Sequence, residues 1–156
     1  MQQESADESR RKAVLMSQEC LGRRIARLQR LVGRRVDAEL RRYGLTLPQV
    51  EVLSELASVG GPARPSDIAG WLGIERSTVS RNLELLVQRG FVEVAATSST
   101  GRTTRVAVTE AGHRALAEAE PAWRRGQAWI GEAIGADARE TLDRWIAALD
   151  PDHPAR

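Results

Sequence analysis

The chain has 156 residues, 23 basic and 21 acidic, and 42% hydrophobic residues, with a net charge of +2. That is enough for one domain with a real core or for two small lobes. No run approaches the ~20 apolar residues of a membrane span. The acidic start from Met1 to Glu8 does not read as a secretory signal. The single cysteine, Cys20, excludes an internal disulfide and fits a reducing, cytoplasmic setting. The small net charge conceals an asymmetry: Arg10 to Arg42 carries eleven basic and three acidic residues, whereas Glu110 to Arg156 carries six basic and nine acidic.

Residues 1–10 are polar, have no apolar period and are expected to form a disordered tail. A long helix follows within residues 11–44. Leu21, Ile25, Leu28, Val32, Val36, Leu40 and Tyr43 recur every three or four positions along it. Its outer face is too basic, and its length too great, for the interior of one small domain. Gly44-Leu45 ends it. Thr46 then caps a second helix, with Pro48 in the first turn and Gln49 three residues after the cap, a capping-box pattern. Val50, Leu53, Leu56 and Ala57 make its inner face, and Gly60-Gly61-Pro62 stops it. A short helix from about Pro65 to Leu72 turns Ile68, Trp71 and Leu72 inward, with Gly73 at its C-terminal end.

The next helix, from about Arg76 to Arg89, is the most informative stretch. Val79, Leu83, Leu86 and Val87 fall on one face. The opposite face carries Arg76, Ser77, Thr78, Ser80, Arg81 and Asn82, grouped in the first two turns. Small side chains let a helix approach a duplex closely, and arginine bonds guanine bidentately or grips phosphate. Two helices joined by a short glycine-bearing turn form a helix-turn-helix. Gly90 terminates the second. Phe91 to Ala95 reads as a strand, Thr97 to Gly101 as a polar loop and Thr103 to Val108 as the returning strand. This hairpin is a wing, with Arg102 at its tip and Arg105 on the return. Arg64 and Ser66, at the start of the short helix, are placed to meet a phosphate.

Thr109-Glu110-Ala111-Gly112 caps a helix running to about Ile134, in which Pro121 should cause a kink or a break. Asp137-Ala138-Arg139-Glu140 repeats the capping-box pattern and opens a last helix to about Leu149. Leu142, Trp145, Ile146 and Leu149 are its apolar residues. The fold class is therefore mainly α with a small β-hairpin wing (α+β). A winged helix-turn-helix DNA-binding domain spans residues 45–109, helical regions at 11–44 and 110–150 flank it, and residues 151–156 form a tail.

Enzyme chemistry has no foothold. The histidines are His113 and His153 alone, and no metal-ligand spacing, glycine-rich phosphate loop or nucleophile elbow is present. No cofactor is expected.

From about residue 11 to 150, the order and spacing of these pieces resemble the MarR family of winged helix-turn-helix regulators. The carrying segments are Leu45 to Leu53, Ile68 to Ile74, Ser77-Thr78-Val79-Ser80-Arg81, Leu86 to Val92 and Arg105 to Gly112. The resemblance implies an obligate homodimer in which the first and last helices of two chains interlock. It also implies a transcription factor, usually a repressor, that leaves a pseudo-palindromic operator when a small molecule binds. Leu21, Ile25, Leu28, Trp129, Trp145, Ile146 and Leu149 would then line the dimer interface. The basic first helix and acidic last segment are suited to pair across chains. Ser77, Thr78 and Arg81 would reach base edges, with Arg76 and Ser80 near phosphates and Arg102 at the minor groove. One position departs from the pattern: the wing usually carries an acid two residues before the tip arginine, and here Thr100 stands there.

An effector pocket for an aromatic or anionic molecule would fall near Tyr43 and Trp123. Two alternatives accompany this reading. Some family members sense oxidants through a thiol in the first helix, and Cys20 lies near Arg23 and Arg24, although the sensing position itself aligns with Gly22. A winged helix can also serve as a protein-protein module, which would call for apolar anchors on the recognition helix; only Leu85 comes close.

Overall fold

The structure is a computed structural model that describes residues 2–97 and 104–150. The chain divides into two compact units, residues 1–35 and residues 36–156. The boundary falls inside a helix.

The first unit is helical. α1 spans Gln2–Glu19 and α2 spans Leu21–Leu40. Helix thus begins at Gln2, where the sequence led us to expect a tail through residue 10. The segment is polar but contains neither glycine nor proline, and Lys12 pairs with Glu8 one turn away at 2.7 Å. The long helix expected over residues 11–44 is interrupted at Cys20. There the thiol accepts the Arg23 amide at 3.3 Å, and the Cys20 carbonyl accepts that of Arg24 at 3.4 Å. Cys20 thereby fills the place of an N-cap, a role in which a weak sulfur acceptor gives no familiar sequence signal.

The second unit holds the core. After α2 comes a 3-10 turn, Arg41–Tyr43, closed by Gly44 at φ +67°. α3 (Leu47–Val59), α4 (Pro65–Leu72) and α5 (Arg76–Gln88) follow, then β1 (Val92–Thr97), β2 (Thr104–Val108), α6 (Glu110–Ile134) and α7 (Ala138–Leu149). The start of α3 is secured twice. Gln49 Oε1 accepts the Thr46 amide at 3.1 Å, as the capping-box pattern predicts, and Asp37 of α2 accepts the Leu47 amide at 2.6 Å. The buried faces of α3, α4 and α5 meet around Val52, Leu53, Leu56, Ile68, Val79 and Leu86. Leu83 is buried with them, but Val87 is not: it is exposed, as the C-terminal end of α5 passes the edge of the core.

β1 and β2 pair antiparallel, Val92 opposite Val108 and Val94 opposite Val106, with an irregularity between Val94 and Ala96. Ala63 adds a bridge on the other side of β2, exchanging two hydrogen bonds with Val106 at 3.0 and 2.9 Å. The wing is therefore anchored at its base to the chain just before α4.

α6 opens as the sequence predicts. Thr109 Oγ1 accepts the Gly112 amide at 3.1 Å and donates to the Gly90 carbonyl at 2.6 Å. Gly112 has no room for a side chain: a Cβ there would stand 2.2 Å from the Phe91 carbonyl oxygen. The helix then runs through Pro121 as a single element. Buried Ala119, Ala122 and Gly126 keep it packed on both sides of the proline, and a Cβ at Gly126 would lie 3.2 Å from Val36. Packing thus sustains a helix that intrinsic propensity would interrupt. α7 forms where expected, but Asp137 makes no side-chain cap; only its carbonyl accepts, from Thr141 at 2.9 Å. Among the described residues, no helix is long and apolar enough to cross a membrane.

Candidate nucleic-acid interface

The candidate interface is the N-terminal half of α5. Val79, Leu83 and Leu86, spaced i, i+4, i+7, face the core. Burying that stripe turns the intervening positions outward. Arg76, Ser77, Thr78, Ser80 and Arg81 are all exposed. Ser77 and Arg81 lie four residues apart, and Thr78 and Arg81 three, so the three share one face. Asn82 is half-buried, and its amide donates to the Thr78 carbonyl at 2.9 Å, so it is committed to the helix rather than to the surface. Among the described residues, neither Arg76 nor Arg81 forms a salt bridge. Of the exposed apolar residues of α5, both in its C-terminal half, Leu85 continues this face one turn beyond Arg81, whereas Val87 lies on another side of the helix.

The supporting positions are more constrained than the sequence suggests. Arg64 is exposed but lies 3.7 Å from the Asp67 carboxylate, and Ser66 donates to the same carboxylate at 3.4 Å. Arg105 donates to the Pro62 carbonyl at 3.1 Å, bracing the base of the wing. Arg102 and Thr100 lie outside the described residues.

Tyr43 borders a hollow of about 170 Å³ together with Phe91, Ala111, Arg114, Ala115 and Glu118. Arg42 stacks over the Tyr43 ring, 4.9 Å from its centroid. Arg114 is paired with Glu110 at 3.2 Å, and Trp123 does not line the hollow. Cys20 is exposed. Among the described residues, no cluster of three or more His, Cys, Asp or Glu side chains is arranged to hold a metal ion.

The residues named for self-association lie on exposed faces. In the first unit, Leu21 is 72% exposed, and Ile25 and Leu28 are exposed one and two turns on. In the second, Trp129, Trp145 and Ile146 are exposed, and Leu149 is 81% exposed.

Sequence reasoning missed two residues. Asp37 caps α3 from another helix, and Arg89 ties the end of α5 to Tyr43 and Gly44. Both act across long sequence separations, where periodicity carries no signal.

The MarR family model matches residues 43–103, which take in the helix-turn-helix and β1 and stop just before β2. The transcriptional regulator MosR of M. tuberculosis is 32% identical, over 85% of this chain and 97% of that one, with a TM-score of 0.74. The chain belongs to the MarR family. A second MosR structure, in complex with DNA, is 31% identical over 85% and 98% of the two chains, with a TM-score of 0.73. The repressor CouR, bound to a 23-mer DNA duplex, is 27% identical over 86% and 94%, with a TM-score of 0.71. CouR from Rhodococcus jostii RHA1 bound to p-coumaroyl-CoA shares the fold at 19% identity, over 85% and 92%, with a TM-score of 0.70. The fold is accordingly that of a MarR-like winged helix, and the family and these relatives are transcriptional regulators rather than enzymes.

Proposed function

We propose that this MarR-family regulator is a homodimer that binds a pseudo-palindromic operator in double-stranded DNA and acts as a ligand-responsive repressor. One observation carries the reading: Ser77, Thr78 and Arg81 share an exposed face of α5 directly above the buried stripe Val79, Leu83 and Leu86. A rigid helix whose leading turns present arginine and short hydroxyls is suited to the major groove. Arg81, Ser77 and Thr78 read base edges, and Arg76 and Ser80, together on the adjoining side of the helix, meet phosphates. Arg102 serves the minor groove from the wing. Arg64 and Ser66 contribute through the start of α4 only after giving up Asp67, and Arg105 acts mainly as the brace of the wing.

Self-association is supported by the exposed faces at Leu21, Ile25 and Leu28 and at Trp129, Trp145, Ile146 and Leu149. Apolar area of this extent is seldom left in water. A homodimer covers it and sets two recognition helices about one helical turn (~34–36 Å) apart. DNA complexes of MosR and CouR support the same reading. The hollow beside Tyr43 is the site suggested for a small aromatic or anionic effector, and the p-coumaroyl-CoA complex of CouR supports ligand response in this fold.

The test is a gel shift on the DNA upstream of the chain's own gene across a salt series. Phosphate-dominated binding should weaken by roughly 10³-fold or more between 50 and 200 mM salt. Aromatic acids and their thioesters should release the complex, and a promoter fusion should be silenced by the unliganded protein. Salt-insensitive binding, or none, would refute the DNA reading.

A further inference from the structure

The C-terminal end of α5 is tied to the chain that leaves α2. Arg89 follows the helix, and its guanidinium reaches back across 45 residues. Nη1 donates to the Gly44 carbonyl, and Nη2 donates to the Tyr43 carbonyl at 3.3 Å. The same group stacks on the Phe91 ring, 4.6 Å from its centroid. Two carbonyls and one aromatic face fix a planar guanidinium in position and in tilt, which a single point charge cannot do. Gly44 is fitted to this contact: its φ is +67°, and a Cβ there would stand 2.9 Å from Nη2.

The next two residues hold a different element. The Gly90 carbonyl accepts from Thr109 Oγ1 at 2.6 Å, and the Phe91 carbonyl accepts the Thr109 amide at 3.0 Å. Arg89–Phe91 is thus a junction of the recognition helix, the wing, the turn after α2 and the start of α6. The base-reading turns sit at the other end of α5. That helix has 13 residues and is therefore ~20 Å long. A pivot of ~10° about the junction moves its first turn by ~3.5 Å, close to the rise of one base pair.

We propose that Arg89 is a positioning residue for operator binding. It sets the angle of the recognition helix against the end of α2, and so the separation of the two half-sites the dimer accepts. The proposal rests on the homodimeric DNA-binding reading above. It assigns Arg89 no contact with DNA.

The test uses the operator recovered by selection from a random duplex pool and variants of it with the half-sites moved by −1, +1 and +2 base pairs. Wild type, Arg89→Ala, Arg89→Gln, Arg89→Lys and Gly44→Ala are titrated against each, with melting temperature and salt dependence measured alongside. Wild type should prefer its own spacing strongly. In Arg89→Ala and Arg89→Gln, affinity for that spacing should fall by roughly tenfold, because only a fraction of molecules holds the competent angle. Affinity for the shifted operators should hold, so the preference collapses. Arg89→Lys, able to grip one carbonyl, should fall between, and Gly44→Ala should mimic the loss by displacing the guanidinium. The salt slope should stay at the wild-type value. Retained spacing preference, or an equal loss across all spacings, overturns the proposal. A slope shallower by about one overturns it in favour of a phosphate contact. Should Arg89→Ala fail to fold, Arg89→Lys and Gly44→Ala decide the matter through the same spacing series. If wild type recovers no operator, the DNA reading falls, and the positioning role with it.

Discussion

The winged-helix lobe and the helical flanks handle their apolar residues in opposite ways. Every buried hydrophobic side chain among the described residues lies between Val36 and Ala122, and Val36, Val52, Leu53, Ile68, Val79, Leu86 and Ala122 have no measurable exposure. Where the flanks adjoin the lobe, Val36, Leu40, Ala119 and Ala122 join this core; farther out, the flanks carry apolar stripes of equal regularity, yet Leu21, Ile25, Trp129, Trp145, Ile146 and Leu149 remain on the surface. Periodicity alone therefore reports that a face is to be covered, not by what. In the lobe the same chain supplies the cover. In the flanks we assign that role to a second copy.

The strongest way to break this contrast is Trp145→Asp combined with Leu149→Asp. A charge on that face should yield monomers by light scattering, and operator affinity should fall by about 100-fold or more as two-handed binding is lost. An intact dimer would remove the flanks from the interface. Next in size is Gly112→Ala, which places a methyl 2.2 Å from the Phe91 oxygen and 2.8 Å from Val108. Overpacking against backbone should cost about 3 kcal/mol in urea denaturation. Gly131, in the flank part of the same helix, has nothing within 4 Å of its Cβ position. Gly131→Ala should instead stabilise by up to ~1 kcal/mol. Equal effects at the two glycines would erase the distinction between lobe and flank.

Arg81→Ala should weaken operator binding by roughly 1–3 kcal/mol and relax the base preference at one position per half-site, leaving the melting temperature near wild type. The smallest effect concerns Glu51. Although its side chain is exposed overall, its carboxyl is raised above the usual carboxylate range, first by desolvation and then by the nearby Asp37 carboxylate. A raised acid pKa means that ionisation disfavours the fold, so this group's contribution falls as pH rises through the carboxylate range. Glu51→Gln should therefore gain slightly in melting temperature over wild type near neutral pH, with the gain fading on acidification. A gain that grows in acid would contradict the sign.

What the sequence made legible follows the same divide. The cap of α3, the glycine after α4, the buried stripe of α5 and the Thr109–Gly112 opening of α6 depend on residues within a turn of one another, so local rules suffice. The break at Cys20 was not legible, because a thiol stood where a hydroxyl or carboxylate usually caps. Of the two outcomes expected at Pro121, a break does not occur, because packing at Ala119, Ala122 and Gly126 holds the helix on both sides of it. Asp137 matched a capping pattern but leaves its side chain out of the cap. Of the interface residues, the exposure of Ser77, Thr78 and Arg81 could be read from the period of the helix. The ties of Arg64 and Ser66 to Asp67, of Arg105 to Pro62 and of Arg89 to Tyr43 and Gly44 could not, since each depends on how side chains settle once the backbone is placed.

The central claim is that the leading turns of α5 read DNA as a two-fold pair. Its most direct test is selection of bound duplexes from a random pool by the wild-type protein, with Arg81→Ala run in parallel. The account predicts enrichment of a two-fold symmetric site with half-sites about 10 base pairs apart, and loss of preference in the variant at one position of each half. Enrichment of no symmetric site, or an unchanged site in the Arg81→Ala selection, would contradict it.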